Sequence, residues 1–368
     1  MRIGIVTHPL FHNYGGTLQA FAMQEILRKL GHTPITIDYL PNKMSKGHYL
    51  MAQIKTLFYY LTFRNSRNFF KYPQRVRSNK FQNFMNKYMS LTKRVHKYKV
   101  STLKHYQIEA IIVGSDQVWR GAYHHPSQQP DLFLRFAKKY NIPKIAYAAS
   151  FGINEWEYSD ELTKECANLA QLFTAISTRE DSGVELCTKY LGVHAVGMND
   201  PTLLLDKKDY IELCKEIPKN DERYLLAYLL DISNEQKIAI KKFAQKNHLE
   251  VIFCSSETNI EMSVEEWLAL YRDATFVITN SFHGTVFSII NNVDFYSIIH
   301  VNRGADRFIS LLSRFNLCDR LINSPEQLPQ RIKFIEWNKV NEIKKIWKER
   351  GILFLKNNLK NGYDDPQY

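Results

Sequence analysis

The sequence has 368 residues, 45% of them hydrophobic and 23% charged, with a formal net charge of +12. These values favour a globular protein of two domains, and no apolar run approaches the roughly 20 residues that span a bilayer. The amino terminus lacks the apolar core of a signal peptide, and the five cysteines form no CxxC pair, which excludes a disulfide framework and fits a reducing cytoplasm.

The first elements predict a β-α-β unit. Arg2 to Thr7 is an apolar strand that opens the chain. Thr17 to Leu30 repeats apolar residues with the period of a helix, and Gly31 ends that helix. Ile35 to Tyr39 is the next strand.

The loop from His8 to Thr17 joins the first strand to the first helix. Gly15 and Gly16 permit a close approach of the backbone to a ligand, and Thr17 is expected to cap the helix. The loop is neither a GxGxxG nor a P-loop pattern. It predicts either a sugar or phosphate pocket or a glycine-assisted turn without a ligand; a metal site at His8 and His12 is disfavoured because no carboxylate accompanies them.

The positive charge is concentrated between Tyr39 and Ile108. This segment holds fifteen Lys and Arg and no acidic residue, whereas the rest of the chain sums to −3. It is rich in aromatic residues, and we interpret it as a helical insertion with a break at Pro73. The alternatives for its basic face are a solvated surface, contact with an anionic membrane, and nucleic-acid binding, which is disfavoured because no known motif is present.

A second loop follows the strand Ala110 to Val113 and reads Gly114 to Trp119. Asp116 is suited to accept a hydrogen bond from a sugar hydroxyl or to act as a base. Trp119 is suited to stack on a pyranose ring. The alternative is that Ser115 and Asp116 cap the next helix.

Strands and helices alternate through the rest of the chain. The Asp200-Pro201 step is interpreted as the crossing between two domains. The further predicted strands are 144–148, 175–177, 224–229, 250–253, 276–279 and 295–299, and the further helices are 159–172, 179–190, 234–247, 264–272, 285–291 and 337–356.

This alternation predicts an α/β fold in which two Rossmann-like domains with parallel sheets face each other across a cleft. The first domain is expected to cover residues 1–199, including the basic aromatic helical insertion at 39–108. The second domain is expected to cover residues 200–336. A carboxy-terminal helix and tail follow at 337–368.

The motif TNSFHGTVFS, at residues 279–288, combines a strand end, a histidine and a helix start. His283 there suits proton transfer, and the amides of Gly284 and Thr285 suit an anion at a helix amino terminus. The alternative is a buried histidine that the backbone satisfies. Downstream, Arg303 and Arg307 are either forked donors to a carboxylate or phosphate or a surface pair.

With these motifs in hand, the sequence resembles the polysaccharide pyruvyl transferase family. The resemblance rests on NYGGTLQAFA, VGSDQVW, SFG at 150–152, STREDSG at 177–183, DPTLLL and TNSFHGTVFS, in consistent order. It implies a fold similar to the B-type glycosyltransferases. It also implies transfer of the enolpyruvyl group of phosphoenolpyruvate to two sugar hydroxyls, which forms a pyruvate ketal on a bacterial exopolysaccharide, a capsule or a lipid-linked precursor. The alternative is a nucleotide-sugar-dependent glycosyltransferase of the same architecture.

Carried over to this chain, the family's catalytic histidine is His283, and Asp116 is the proposed base. The second domain is expected to hold the donor and the first domain the acceptor. The expected donor residues are Asn280, Ser281, Gly284, Thr285, Arg303 and Arg307. The expected acceptor residues are His12, Asn13, Tyr14, Gly15, Gly16, Ser115, Gln117 and Trp119.

The chain departs from the family at Ser281, where several members have arginine. We therefore expect another basic residue, Arg303 or Arg307, to supply the missing cation. No metal and no cofactor is expected, because phosphoenolpyruvate acts as a co-substrate. The expected partners are a glycan or lipid-linked saccharide and, through residues 39–108, an anionic membrane; no nucleic acid is expected. The expected location is the cytoplasm, at the inner face of the membrane.

Overall fold

The computed structural model describes residues 1–40, 77–254, 262–299 and 304–359. The predicted α/β fold with two Rossmann-like domains is confirmed, since the structure contains two parallel sheets. Most of the basic segment, at 41–76, lies outside the described residues, as do Arg303 and the tail from 360 onward. No helix in the described part of the chain is long and apolar enough to cross a bilayer.

The first sheet has six strands in the order β2-β1-β3-β4-β5-β6. Its strands are β1 (Arg2–Val6), β2 (Thr33–Thr36), β3 (Ala110–Val113), β4 (Lys144–Ala149), β5 (Ala175–Thr178) and β6 (Val196–Gly197). The helices of this part are α1 (Tyr14–Lys29), α2 (Asn79–Tyr88), α3 (Val100–His105), α4 (Gln129–Leu132), α5 (Asp160–Ala170) and α6 (Asp181–Leu186).

The second sheet has five strands in the order β11-β10-β9-β7-β8. Its strands are β7 (Tyr224–Tyr228), β8 (Glu250–Cys254), β9 (Phe276–Thr279), β10 (Asp294–Ile298) and β11 (Leu321–Ile322). The helices are α7 (Lys207–Leu213), α8 (Asn234–Lys246), α9 (Val264–Asp273), α10 (Phe282–Asn291), α11 (Asp306–Arg314) and α12 (Trp337–Asn358).

The described part of the predicted insertion is built into the first domain. Phe81 and Phe84 of α2 are buried in the same hydrophobic cluster as β1. Arg77 is buried and donates two hydrogen bonds to the Asp38 carboxylate, at 2.6 and 3.2 Å. Residues 77–108 therefore bury apolar side chains in the core and leave basic side chains exposed, among them Lys87, Lys93, Lys97 and Lys99. The interpretation of the segment as an insertion stays a prediction.

Each sheet has a switch point, where the strand order reverses between neighbouring strands and the connections leave in opposite directions. In the first sheet it lies between β1 and β3, and in the second between β7 and β9. Ligands of open parallel sheets bind at the carboxyl ends of the strands at such points. The two switch points therefore predict where a site lies.

The two domains contact each other near the switch points. Arg314 of α11 donates to the Met198 carbonyl at 3.0 Å and to the side-chain oxygen of Asn199 at 2.9 Å. Helix α12 returns to the first domain, where Gly351 packs against the Tyr147 hydroxyl. A side chain at Gly351 would collide with that hydroxyl, so the glycine permits the close approach of this helix.

Candidate active site

A cleft of about 690 Å³ lies between the carboxyl edges of the two sheets. The first domain contributes the loops after β1 and β3, and the second contributes the loops after β7 and β9 together with α11. The lining is rich in histidine and aromatic side chains, and Asp116 is its one acidic side chain among the described residues. The chemically functional lining residues are His8, His12, Asn13, Asp116, Gln117, Tyr123, His124, Asn280, Ser281, His283 and Arg307.

His283 lies in the first turn of α10, where the loop after β9 enters the helix. His283 is 7% exposed, and its imidazole ring packs against Gly15 at the start of α1. A Cβ atom at Gly15 would lie 2.0 Å from Nδ1 of His283. The glycine is therefore required for the histidine of one domain to rest on the first helix of the other.

Asp200 is the buried partner of His283. Its Oδ2 atom lies 3.4 Å from His283 Nε2 and accepts hydrogen bonds from the Ser115 hydroxyl at 2.8 Å and from Arg179 Nη1 at 3.0 Å. Its Oδ1 atom accepts from the amide and hydroxyl of Thr202. The sequence offered Asp200 only as a domain crossing, because its neighbours in space come from three distant segments.

Arg179, in the STREDSG motif, is the functional residue that sequence reasoning missed. It follows β5 of the first domain and is 2% exposed. One of its nitrogens, Nη1, bonds to Asp200, whereas Nε and Nη2 have no hydrogen-bond partner, although Nη2 lies 3.7 Å from Asp116 Oδ1. Its guanidinium lies 4.3 Å from the ring centroid of Phe282. Buried donors without acceptors are costly, so this arginine is prepared for an anionic ligand.

Arg307 provides the second cation. It lines the cleft from α11, and its guanidinium lies 5.7 Å from the same Phe282 ring that contacts Arg179. Burial and the positive charge of Arg179 lower the pKa of Arg307 to about 10, against the charges of Glu180 and Asp116. An anion between the two arginines would relieve this mutual repulsion.

Asp116 lies beside Arg179, with its Oδ1 atom 3.7 Å from Arg179 Nη2. Its φ of 72° is in the left-handed region, which aspartate tolerates better than most residues. Burial opposes ionisation of its carboxyl, but the charges of His8, Arg179 and His283 and a hydrogen bond from the Gln117 amide lower its pKa. No helix follows directly, so the alternative that Ser115 and Asp116 cap a helix is wrong.

Glu180 joins two of the motifs on which the resemblance rests. Its Oε1 accepts from the amides of Phe151 at 2.6 Å and Gly152 at 2.9 Å, so the STREDSG loop holds the SFG loop. Gly304, which precedes α11, packs on the carbonyl of Gly152. The loops that carry Arg179 and Arg307 are therefore braced against the same turn.

The amides that the sequence assigned to an anion are already engaged. The Gly284 amide donates to the Ser281 hydroxyl at 3.3 Å, and the Thr285 amide donates to the Ser281 carbonyl at 3.0 Å. Ser281 caps α10, and the Thr285 hydroxyl lies 2.6 Å from that of Ser297. The prediction of an anion at Gly284 and Thr285 is therefore corrected. Helix geometry leaves the preceding amides, of Phe282 and His283, without a carbonyl partner.

Asn280 also has a structural role. Its side-chain oxygen accepts from the Leu230 amide at 2.7 Å, and its side-chain nitrogen donates to the Asp231 carbonyl at 2.9 Å. These bonds join the ends of β7 and β9 at the switch point. Asn280 also lines the cleft, so the expected donor contact at this residue stays a prediction.

The expected acceptor residues divide into two groups. His12, Asn13 and Gln117 line the cleft, and the Asn13 side chain caps α1 by accepting from the Gly16 amide at 3.0 Å. Thr17, which the sequence proposed as that cap, is buried inside the helix instead.

The second group does not reach the cleft, because its side chains are committed elsewhere. Trp119 is 0% exposed, stacks on Phe133 and donates from Nε1 to the Leu132 carbonyl. Tyr14 is buried and donates to the Met262 carbonyl. The Ser115 hydroxyl donates to Asp200. The predictions that these three contact a sugar are corrected for this reason.

Three residues at the far end of the cleft complete its aromatic wall. The rings of His8 and His124 stack with centroids 4.8 Å apart, and Tyr123 meets His8 edge-on. His8 belongs to the loop that the sequence predicted as either a sugar or phosphate pocket or a turn, and it was disfavoured as a metal ligand. His124 and Tyr123 follow no recognisable motif. Their position depends on the chain reversal after β3, for which the sequence gives no local signal.

The family model of the polysaccharide pyruvyl transferases matches residues 13–302 of the chain. That range contains Asp116, Arg179, Asp200 and His283. No curated protein matches the sequence.

Several solved structures show a distant likeness. UDP-GlcNAc 2-epimerase from Neisseria meningitidis is 9% identical with a TM-score of 0.49, covering 98% of this chain and 99% of its own. A spinosyn rhamnosyltransferase is 10% identical with a TM-score of 0.44, covering 97% and 96%. A wall teichoic acid polymerase is 8% identical with a TM-score of 0.41, covering 96% and 83%.

Proposed function

The chain belongs to the polysaccharide pyruvyl transferase family, and from that premise we propose that its cleft transfers the enolpyruvyl group of phosphoenolpyruvate to a sugar. The acceptor is part of a cell-surface polysaccharide or its lipid-linked precursor, and the product is a cyclic pyruvate ketal. The observation that carries the proposal is Arg179, a buried cation whose Nε and Nη2 make no hydrogen bond in the protein and whose Nη2 lies 3.7 Å from the Asp116 carboxylate in the cleft.

The donor has the charge that this site requires. Phosphoenolpyruvate carries a phosphate and a carboxylate close together, and a planar guanidinium binds either group through paired hydrogen bonds. Arg179 and Arg307 lie on the same phenylalanine ring, next to His283. Together they replace the arginine that the family motif would place at Ser281. The replacement comes from other segments of the chain, and Arg179 comes from the other domain.

His283 and Asp116 supply the acid and the base of the reaction. His283 gives a proton to the methylene carbon of the donor, which becomes a methyl group while positive charge develops at C2. The first sugar hydroxyl bonds to C2 and gives its proton to Asp116. The C2–O bond to phosphate then breaks, and the electron pair leaves with the phosphate.

The second sugar hydroxyl bonds to C2 and closes the ring. Its proton leaves with the phosphate, and the proton held by Asp116 returns to His283 through solvent, so one donor and one diol yield one ketal and one inorganic phosphate with the enzyme restored. Arg179 and Arg307 stabilise the charge that collects on the departing phosphate. The remaining volume of the cleft, toward His12, Asn13 and Gln117, accommodates the acceptor.

Calorimetry of donor binding tests this proposal. We expect phosphoenolpyruvate to bind the wild type and UDP-GlcNAc not to bind. Arg179→Met, which keeps the length of the side chain but loses its donors, is expected to weaken phosphoenolpyruvate binding by about 100-fold, since a charge-assisted pair contributes about 1.5–3 kcal/mol.

The matched control is Arg135→Met. Arg135 is half-buried and bonds to Asp131 and Glu165 away from the cleft, so its loss is expected to leave donor affinity unchanged. Binding of UDP-GlcNAc without phosphoenolpyruvate would support the glycosyltransferase alternative instead.

A further inference from the structure

Asp200 joins groups from both domains at a single carboxylate oxygen. We infer that Asp200 is a positioning residue that fixes the tautomer of His283, with the proton on Nε2, so that Nδ1 is the nitrogen that exchanges the proton of the reaction. The part that concerns the reaction rests on the proposed function; the part that concerns the tautomer does not.

The groups around Asp200 donate hydrogen bonds to its carboxylate, which therefore acts only as an acceptor. It is 0% exposed, and both of its oxygens accept hydrogen bonds, from Ser115, Arg179 and Thr202. An ionised carboxylate can only accept, so a ring nitrogen that faces it is favoured in the protonated form. His283 Nε2 is that nitrogen: it lies 3.4 Å from Oδ2, outside hydrogen-bond geometry in this structure, and it makes no hydrogen bond to any other group.

The electrostatics agree with this geometry. Burial alone would raise the pKa of Asp200, but His283, Arg179 and the Thr202 amide together hold it well below its usual range. Asp200 is therefore ionised across the physiological range of pH.

The other ring nitrogen, Nδ1, lies against the start of α1, and His283 itself lines the cleft. Nε2 of His283 is fully buried, whereas Nδ1 lies over Gly15 at the start of α1, where His12 and Asn13 border the cleft. A proton held on Nε2 leaves the lone pair of neutral His283 on Nδ1. Protonation of Nδ1 then creates the acid, and its proton can reach a ligand in the cleft without crossing the protein.

The same carboxylate orients the anion site. Oδ2 accepts from Nη1 of Arg179, which fixes the guanidinium while Nε and Nη2 remain without acceptors in the protein. Arg179 belongs to the first domain and His283 to the second. Because Asp200 contacts both, it fixes the position of the acid, His283, relative to the anion-binding Arg179 at the crossing between the domains.

Nitrogen NMR of histidine-labelled protein tests the tautomer directly. The spectrum is recorded without substrate at a pH at which the ring is neutral, and the His283 signals are assigned by their loss in His283→Gln. We expect Nε2 to carry the proton in the wild type. A neutral ring with its proton on Nδ1 would overturn the inference, and this result depends on no variant and no substrate.

Two variants extend the test to the reaction. Asp200→Asn preserves shape but offers Nε2 an amide in place of a carboxylate, and we expect mixed tautomers and a fall in kcat of roughly 10²–10⁴-fold, as for an aspartate-to-asparagine change behind a catalytic histidine. The control Thr202→Val removes a donor to Oδ1 and leaves Oδ2 intact, so it is expected to keep the tautomer and kcat within about threefold, the range of a local change without a catalytic role.

The outcomes separate the two proposals. If Asp200→Asn keeps the wild-type tautomer, the inference about Asp200 fails even if phosphoenolpyruvate is the donor. If the tautomer shifts as expected but phosphoenolpyruvate does not bind the wild type, the proposed function fails and the pairing of Asp200 with His283 stands.

Discussion

The carboxyl edges of the two sheets have the same topology around their switch points but differ in chemistry. At the first edge, the loops after β1 and β3 turn Asn13 and Asp116 toward the cleft. At the second edge, Asn280 joins the loops after β7 and β9 through two short hydrogen bonds. The first edge presents Asn13 and Asp116 to the cleft, whereas the second edge ties its own loops together through Asn280 and presents His283 one turn further along.

This difference shows why a switch point alone does not locate a site. The second domain contributes His283, the proposed acid, from the start of α10, where the ring rests on Gly15 of the first domain. The site is therefore a property of the two domains together. Changes at the contact between the edges are expected to affect catalysis, and changes inside the second edge are expected to affect stability.

Among changes at the contact between the two edges, the largest effect is expected from Gly15→Ala. The added Cβ would lie 2.0 Å from Nδ1 of His283, so either the ring or the helix has to move. A displacement of about 1 Å at a catalytic group costs on the order of 100-fold in rate. The measurement is kcat for ketal formation together with the melting temperature.

Gly16→Ala is the matched control. Its Cβ would meet Asn13 and Asp116 at 3.2–3.4 Å, a contact that small shifts of these side chains relieve. We expect a much smaller loss of rate than for Gly15→Ala. Equal losses in the two variants would contradict the specific contact between Gly15 and His283.

Asn280→Ala is expected to have an intermediate effect and to act on stability. It leaves the Leu230 amide and the Asp231 carbonyl without their present partner, at a cost of about 1–3 kcal/mol in the free energy of unfolding. Denaturant unfolding measures this loss, and calorimetry is expected to show unchanged affinity for phosphoenolpyruvate. Asn323→Ala, on the exposed far side of the same edge, is the control. If Asn280→Ala instead weakened phosphoenolpyruvate binding and left the free energy of unfolding unchanged, Asn280 would be a donor-binding residue.

The alternation of strands and helices was sufficient to predict the fold, because parallel sheets leave a strong local pattern in apolar runs. It also led to His283, Asp116 and Arg307, which lie at strand ends or helix starts. Arg179 and Asp200 were quoted in motifs but given no role, since their function depends on contacts between residues 115, 179, 200 and 283. The prediction that Trp119 stacks on a sugar was wrong because a sequence does not show which side chains are exposed. The loop that carries Trp119 turns inward, and its ring is buried in the core.

The smallest effect is expected on stability when the pH is lowered. Asp116 and Asp200 of the first edge have lowered pKa values, so the folded state binds fewer protons than the unfolded state below the ordinary carboxyl pKa of 3.8. Their stabilisation is present above that pH and is lost as the pH falls below it, by at most about 1.4 kcal/mol per pH unit for each group. Denaturant unfolding between pH 5 and about 3 is expected to show a shallower loss in Asp200→Asn than in the wild type; equal slopes would contradict an ionised Asp200.

The central claim is that the first edge and His283 together transfer an enolpyruvyl group. The direct measurement is carbon NMR after incubation of the protein with phosphoenolpyruvate labelled at C2 and the saccharide fraction of the source cells. We predict a new quaternary ketal carbon, an equal amount of inorganic phosphate, and neither of them with His283→Gln. Labelled phosphoenolpyruvate that stays unchanged with the wild type, while a nucleotide-sugar in the same fraction is consumed, would contradict the account.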